Sequence, residues 1–165
     1  MARKLSMKMA INEALDQEMQ RDPSVIVLGE DIVGDAGADG EKDAWGGVLG
    51  VTKGLYAKHG DRLLDTSLSE SAYVGAAACG MRPVAELTLI DFMGVCFDQI
   101  FSQRRSSSTC SAAKRKRPSS SVRWSARVSA ATQHSQMLTP LFKHIPSLKV
   151  VCPSTLDRTY KKLED

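Results

Sequence analysis

Between Ser67 and Phe92 the chain reads SLSESAYVGAAACGMRPVAELTLIDF, which sets Glu70 at the start of a run of small residues and Asp91-Phe92 just past an apolar stretch. A carboxylate in the first turn of a helix is normally kept ionised by the positive end of the dipole. A proton-sharing task for Glu70 therefore requires burial against a ligand. The arrangement suits a coenzyme pocket, although position alone leaves the reaction of Glu70 open. A second acidic pair, Glu30-Asp31, follows Gly29 at the end of the apolar run Val25 to Leu28. Carboxylates at the carboxyl edge of a parallel strand stand where open α/β sheets bind ligands. Two solvated charges opening a loop account for the pair equally well.

The elements that must carry these residues follow from periodicity. Met7, Ala10, Ile11, Ala14, Leu15 and Met19 recur at helical spacing, with Ser6 placed to cap, so residues 7–20 are expected as an amphipathic helix ending near Asp22-Pro23. Residues 25–28 form a buried strand and 33–50 a long glycine-rich loop around Trp45; 51–59 is a short helix and 63–64 a short strand. The loop lacks the Gly-Lys-Ser/Thr of a phosphate loop. Ser69 caps a helix from Glu70, 83–90 is the next strand, and 91–103 a helix with Phe92, Val95, Cys96 and Ile100 on one face. Further on, 134–144 reads as helix, 148–152 as strand and 154–164 as a terminal helix. Strands alternating with helices point to an α/β fold, a parallel sheet flanked by helices.

Composition narrows the class. The 165 residues are 42% hydrophobic and 25% charged, ordinary for one globular domain and unlike a disordered chain. No apolar run reaches membrane-spanning length and the N-terminus is no signal peptide, so a cytoplasmic location is expected. Cys79, Cys96, Cys110 and Cys152 have no Cys-x-x-Cys spacing and are expected as buried free thiols. His59 and His144 are expected to be structural. Residues 104–127 hold eight basic and no acidic side chains, leaving −5 on the remainder of a chain whose total is +3.

GEDI at 29–32, AWGGVLGVTKGL at 44–55, LDTSLSES at 64–71, CGMRPVAEL at 79–87, DFMGVCFDQI at 91–100, QHSQMLTPLF at 133–142 and LKVVCPS at 148–154 together resemble the beta subunits of thiamine-diphosphate-dependent 2-oxoacid dehydrogenases, most of all the acetoin-cleaving branch. The resemblance covers most of the chain outside 104–130. It implies a transketolase-like pyrimidine-binding fold, a first part at 1–103 and a last part at 131–165, with the C-terminal transketolase-like domain of such subunits absent from these residues. It implies that Glu70 shares a proton with the aminopyrimidine ring of thiamine diphosphate and that Phe92 packs on that ring. Glu30 would lie near the same pocket, and His134 at the channel mouth would move protons. The implied reaction cleaves acetoin and passes a two-carbon unit to a lipoyl acyltransferase. The implied partners are an alpha subunit, which would hold magnesium and the diphosphate, and a second beta subunit. Pyruvate or branched-chain 2-oxoacids are the alternative substrates, and a non-catalytic fragment pairing with the alpha subunit is the alternative role.

Two departures from the family stand out. The helix from Glu70 is about one turn short, since Gly75 runs directly into Ala76-Ala77-Ala78. In addition, RRSSSTCSAAKRKRPSSSVRWSARVS at 104–129 becomes AAKFLYMFGGKAETPVVIRQMVGAGF in the neighbouring reading frame, the family's own kind of sequence. A double frameshift accounts for the serines and Trp124 as well as the basic charge. A nucleic-acid contact through KRKRPSSS accounts only for the charge and is not expected. The out-of-frame PSSSVR at 118–123 cannot bury an apolar face, so a sheet strand is expected to be lost there.

Overall fold

A computed structural model describes residues 4–34, 45–76, 82–103, 121–125, 136–145 and 148–153. Helix α1 is Met7–Arg21, and its first turn is capped by Ser6, whose hydroxyl accepts the amide of Met9 at 3.3 Å. Strand β1 is Val25–Gly29, α2 is Tyr56–His59, β2 is Leu63–Asp65, α3 is Glu70–Ala76 and β3 is Arg82–Leu89. Strand β4 is Ser121–Ser125 and α4 is Thr139–Lys143. The strands form one parallel sheet in the order β2-β1-β3-β4, in the register Val27 to Leu63, Val27 to Val84 and Ala85 to Val122.

Alternation along the strands divides the interior in two. Val25, Val27 and Val84 join Leu15, Met19, Ile32, Leu55 and Leu63 in a core beneath α1. Leu28, Ala85 and Leu87 join Tyr73, Val74, Met93, Cys96, Ile100 and Phe142 in a second core beneath α3 and α4. Phe97 lies between the stacked ring of Phe101, with centroids 5.5 Å apart, and the tilted ring of Phe142 at 5.8 Å. The apolar periods found in the sequence thus become two faces of one sheet, covered by helices.

The α1 layer is tied down by a polar network. His59 Nε2 meets Asp16 Oδ1 at 2.7 Å and Lys58 Nζ meets Asp16 Oδ2 at 2.5 Å. Arg62 donates to His59 Nδ1 at 2.9 Å and to the carbonyl of Met19 at 2.8 Å. A guanidinium can only donate, so Nδ1 accepts and the proton of a neutral imidazole sits on Nε2, facing Asp16. The structural role expected of His59 is thereby given a geometry. At the helix end, Asp22 accepts from Ser24 and from Arg82 Nη1 at 2.9 Å, which joins α1 to the start of β3.

Several expected elements differ. The stretch 51–59 is helical only over Tyr56–His59, because Gly54 adopts φ 83 and Gly50 φ 66, conformations that interrupt a right-handed helix. No continuous helix fills 91–103. A 3₁₀ turn over Ile90–Gly94 and a wide π turn over Gln99–Gln103 take its place, and Val95, expected on the buried face, is exposed. Gly94 and the β-branched Val95 are poor residues for a helix interior at this point. Residues 148–152 make no strand; Leu148 and Val150 pack instead against the α3-side core. Contrary to expectation a fourth strand does form within the basic block, as β4 pairs with β3 and carries an irregularity opposite Leu87 and Leu89. A ladder needs only backbone amides and carbonyls, which serine-rich sequence possesses like any other. Helix α4 is shorter than expected, with Pro140 in its first turn. Of the helix expected over 134–144, residues 134 and 135 lie outside the described residues, as does the terminal helix expected over 154–164. Cys96 is buried, whereas Cys152 is exposed, against the expectation that all four thiols are buried; Cys79 and Cys110 lie outside the described residues.

Candidate functional site

Parallel strands bring their carboxyl ends to one edge, and the chain leaves β1, β2 and β3 at that edge with an acid or an aromatic residue close behind each. Glu30 follows β1 directly, Glu70 follows β2 after a four-residue link, and Phe92 follows β3. From β1 the chain moves outward to β2, and from β3 it moves the other way, towards β4. The crevice between the ends of β1 and β3 is therefore the topological switch point, where sheets of this type bind ligands. Glu30 and Phe92 flank it.

Local bonding sets the rim. The amide of Thr66 donates to the carbonyl of Gly29 at 2.9 Å, which carries the β2 end beside the β1 end. Asp65 Oδ1 accepts the amide of Val33 at 2.8 Å, and the carbonyl of Asp31 accepts that of Gly47 at 2.8 Å. Asp31 has φ 54, in the left-handed region that aspartate tolerates better than most residues. Gly46 has φ 69, and a side chain on it would start 2.1 Å from the amide nitrogen of Lys53, so glycine is required there. Beneath this turn, Thr52 donates its hydroxyl to the carbonyl of Ile32 at 2.8 Å.

Glu70 is the first residue of α3, and the carbonyl of Ser69 accepts the amides of Ala72 and Tyr73. A seven-residue helix has little stability of its own and is held by packing, here through buried Tyr73 and Val74. Tyr73 is one helical turn from Glu70 on the same face, and its hydroxyl donates to the carbonyl of Glu86 in β3 at 3.1 Å. The electrostatics of this corner are those of acids crowded among acids. Burial first, then the charges of Asp31 and Glu70, raise the pKa of Glu30 above the ordinary carboxylate value. Burial and then the Glu70 charge push the Tyr73 hydroxyl well above its ordinary range and the Cys96 thiol up to about 11. Cys96 is therefore a packed thiol rather than a nucleophile.

The charge of Glu70 is felt at Glu30, after burial and the charge of Asp31, and Phe92 is half-buried against the α3-side core. His134 lies outside the described residues. Tyr73, Glu86 and Thr66 are the participants that sequence reading missed, whereas Asp91 was marked only as the acid beside Phe92. The spacing of Tyr73 three residues after Glu70 was the available signal, and nothing comparable marked the others. Thr66 Oγ1 and Asp91 Oδ2 are buried without a hydrogen-bond partner, while Asp91 Oδ1 accepts the amide of Gln136 at 3.3 Å. Unpartnered buried polar atoms of this kind behind the carboxyl ends of the strands fit a ligand with ring nitrogens and an amino group, such as an aminopyrimidine. Among the described residues no three His, Cys, Asp or Glu side chains are grouped to hold a metal ion.

Comparison with known proteins identifies the family. The family described as transketolase, pyrimidine binding domain, matches residues 3–165. The beta subunit of acetoin:2,6-dichlorophenolindophenol oxidoreductase from Cupriavidus necator is 74% identical over 160 residues, covering 94% of this chain and 47% of that protein. The protein of the same name from Bacillus subtilis is 47% identical over 162 residues, with 93% and 47% covered. The 2-oxoisovalerate dehydrogenase beta subunit of Bacillus subtilis is 39% identical over 161 residues, with 88% and 43% covered. The chain spans about half the length of the curated relatives it matches.

Proposed function

The chain belongs to the transketolase pyrimidine-binding domain family, and from that premise we propose that it supplies the pyrimidine half of a thiamine-diphosphate site in a dehydrogenase beta subunit acting on acetoin. The observation that supports this reading is the placing of Glu30, Glu70 and Phe92 behind the carboxyl ends of three parallel strands at the switch point of the sheet, with the proton affinity of Glu30 raised by burial and then by the charges of Asp31 and Glu70. Higher identity to two acetoin oxidoreductase beta subunits than to an oxoisovalerate relative favours acetoin as substrate.

Thiamine diphosphate, when bound, supplies the carbon nucleophile and electron sink that cleavage next to a carbonyl requires. The residues of this chain have narrower tasks. Glu70 shares a proton with a ring nitrogen of the aminopyrimidine; Phe92 offers a ring face; Glu30, whose proton affinity is raised by burial and by the charges of Asp31 and Glu70, supports Glu70. Burial and the charges of Asp31 and Glu70 shift Glu30 towards its protonated form. An alpha subunit holding the diphosphate and magnesium, a second beta subunit and a lipoyl acyltransferase complete the proposed assembly. His134 keeps its proposed place at the channel mouth.

The reading is tested on the complete beta subunit, in frame through 104–130 and assembled with its alpha subunit. Acetoin-dependent reduction of dichlorophenolindophenol is the expected result; turnover of pyruvate or a branched-chain 2-oxoacid without turnover of acetoin overturns the substrate assignment. The nucleotide sequence across codons 100–132 tests the frame reading separately. An uninterrupted frame encoding the basic block as written would contradict it.

A further inference from the structure

Helix α3 sits beside the segment that presents Phe92, and two hydroxyls attach it on either side of that residue. Tyr73 donates to the carbonyl of Glu86, within β3 and six positions before Phe92, at 3.1 Å. Ser71 donates to the carbonyl of Val95, three positions after Phe92, at 2.5 Å. Residues two apart on a helix point about 200° away from each other, so these side chains leave opposite sides of α3 and reach different elements. Neither bond is a helix cap, since both acceptors belong to backbone distant in sequence. A third contact lies further along: a side chain on Gly75 would start 2.7 Å from Gln99 Oε1, so the helix lies close against the turn that follows.

We propose that Ser71 and Tyr73 are positioning residues, a two-point clamp that fixes Glu70 relative to Phe92 so that carboxyl and ring address the two aspects of one aminopyrimidine, its edge and its face. The inference rests on the proposed thiamine-diphosphate site. The physical need is plain. A helix of seven residues does not hold its own place, and Glu70 at its first position would move with any fraying of that end. Stacking and edge hydrogen bonding tolerate errors of only about 0.5 Å in the supporting groups. Tyr73 sets the depth of the helix against the sheet, and Ser71 sets its distance from the turn that bears Phe92. Burial and the neighbouring charges of Glu70 and Glu30 keep the Tyr73 hydroxyl protonated, and hence a donor, across the working range of pH.

Hydroxyl deletion tests the clamp in the complete beta subunit assembled with its alpha subunit. Ser71→Ala and Tyr73→Phe are each expected to weaken thiamine diphosphate binding, titrated calorimetrically with magnesium present, by about five- to tenfold, the worth of one hydrogen bond. Amide exchange over residues 70–76 should accelerate in both variants without cofactor, and Ser71→Thr, which keeps the hydroxyl, should restore both readouts. A lowered melting temperature with unchanged affinity in both deletions would show that the bonds merely support the fold and would overturn the clamp. Absence of thiamine diphosphate binding in the unsubstituted assembly would overturn the functional reading beneath it, an outcome distinct from normal binding that the deletions leave untouched.

Discussion

The two layers of the sheet treat their carboxylates in opposite ways. Under α1, acids are matched with bases. Burial would raise Asp16, but its bonds to Lys58 and His59 outweigh that and hold it below the ordinary carboxylate value. Asp22, bonded first by Ser24 and then by Arg82, is lowered to about 2. Beside α3, acids face acids: Glu30 is raised by burial, Asp31 and Glu70, and the charge of Glu70 is felt by Tyr73 and Cys96. Matched groups stabilise a fold, whereas a crowded acidic corner costs stability and persists where a ligand repays it. The contrast agrees with the proposed site lying in the α3 layer.

Breaking the matched side should have the largest effect on stability. Arg62→Ala removes donors to the Met19 carbonyl and to His59 Nδ1 and strands buried acceptors, so urea unfolding should show a loss of about 2 kcal/mol. Asp22→Asn should lower the melting temperature at pH 7 by a smaller amount. Because the folded pKa of Asp22 is depressed, its contribution is complete above the unfolded carboxylate value and disappears as pH falls through about 2. The gap between variant and parent should therefore close over that interval, and a gap independent of pH would count against the pairing. The smallest change should have the opposite sign. Glu30→Gln removes a charge that the fold disfavours, so the melting temperature should rise slightly at neutral pH. That gain should vanish below the unfolded carboxylate value, where Glu30 is protonated in both states. A fall at neutral pH would mean that Glu30 is paired like the acids of the α1 layer.

Reading the sequence captured what local periodicity encodes. The spans of α1, β1 and β3 came within a residue or two, as did the start of α3 at Glu70, because caps, apolar runs and Pro-Gly punctuation mark them. It failed where tertiary pairing decides. The ladder of β4 is backbone chemistry supplied by β3, and serine-rich side chains do not announce it. The turns around Phe92 replace a helix because the segment must bend off β3 to keep Met93, Cys96 and Ile100 in the core. At the proposed site, the places of Glu30 behind a strand and Glu70 at the start of a helix were legible in the sequence. Thr66 Oγ1 and Asp91 Oδ2 are buried without a partner, a feature no spacing reveals.

The central claim is that the acid-crowded corner lets Glu70 share a proton with the coenzyme ring. Its most direct test is the rate at which the thiazolium C2 proton of bound thiamine diphosphate exchanges with deuterated water, followed by quenched-flow NMR in the assembled protein. Glu70→Gln, which keeps shape and loses the exchangeable carboxyl proton, is expected to slow that exchange by at least about 100-fold while binding and assembly persist. Equal exchange rates in parent and variant would contradict the account.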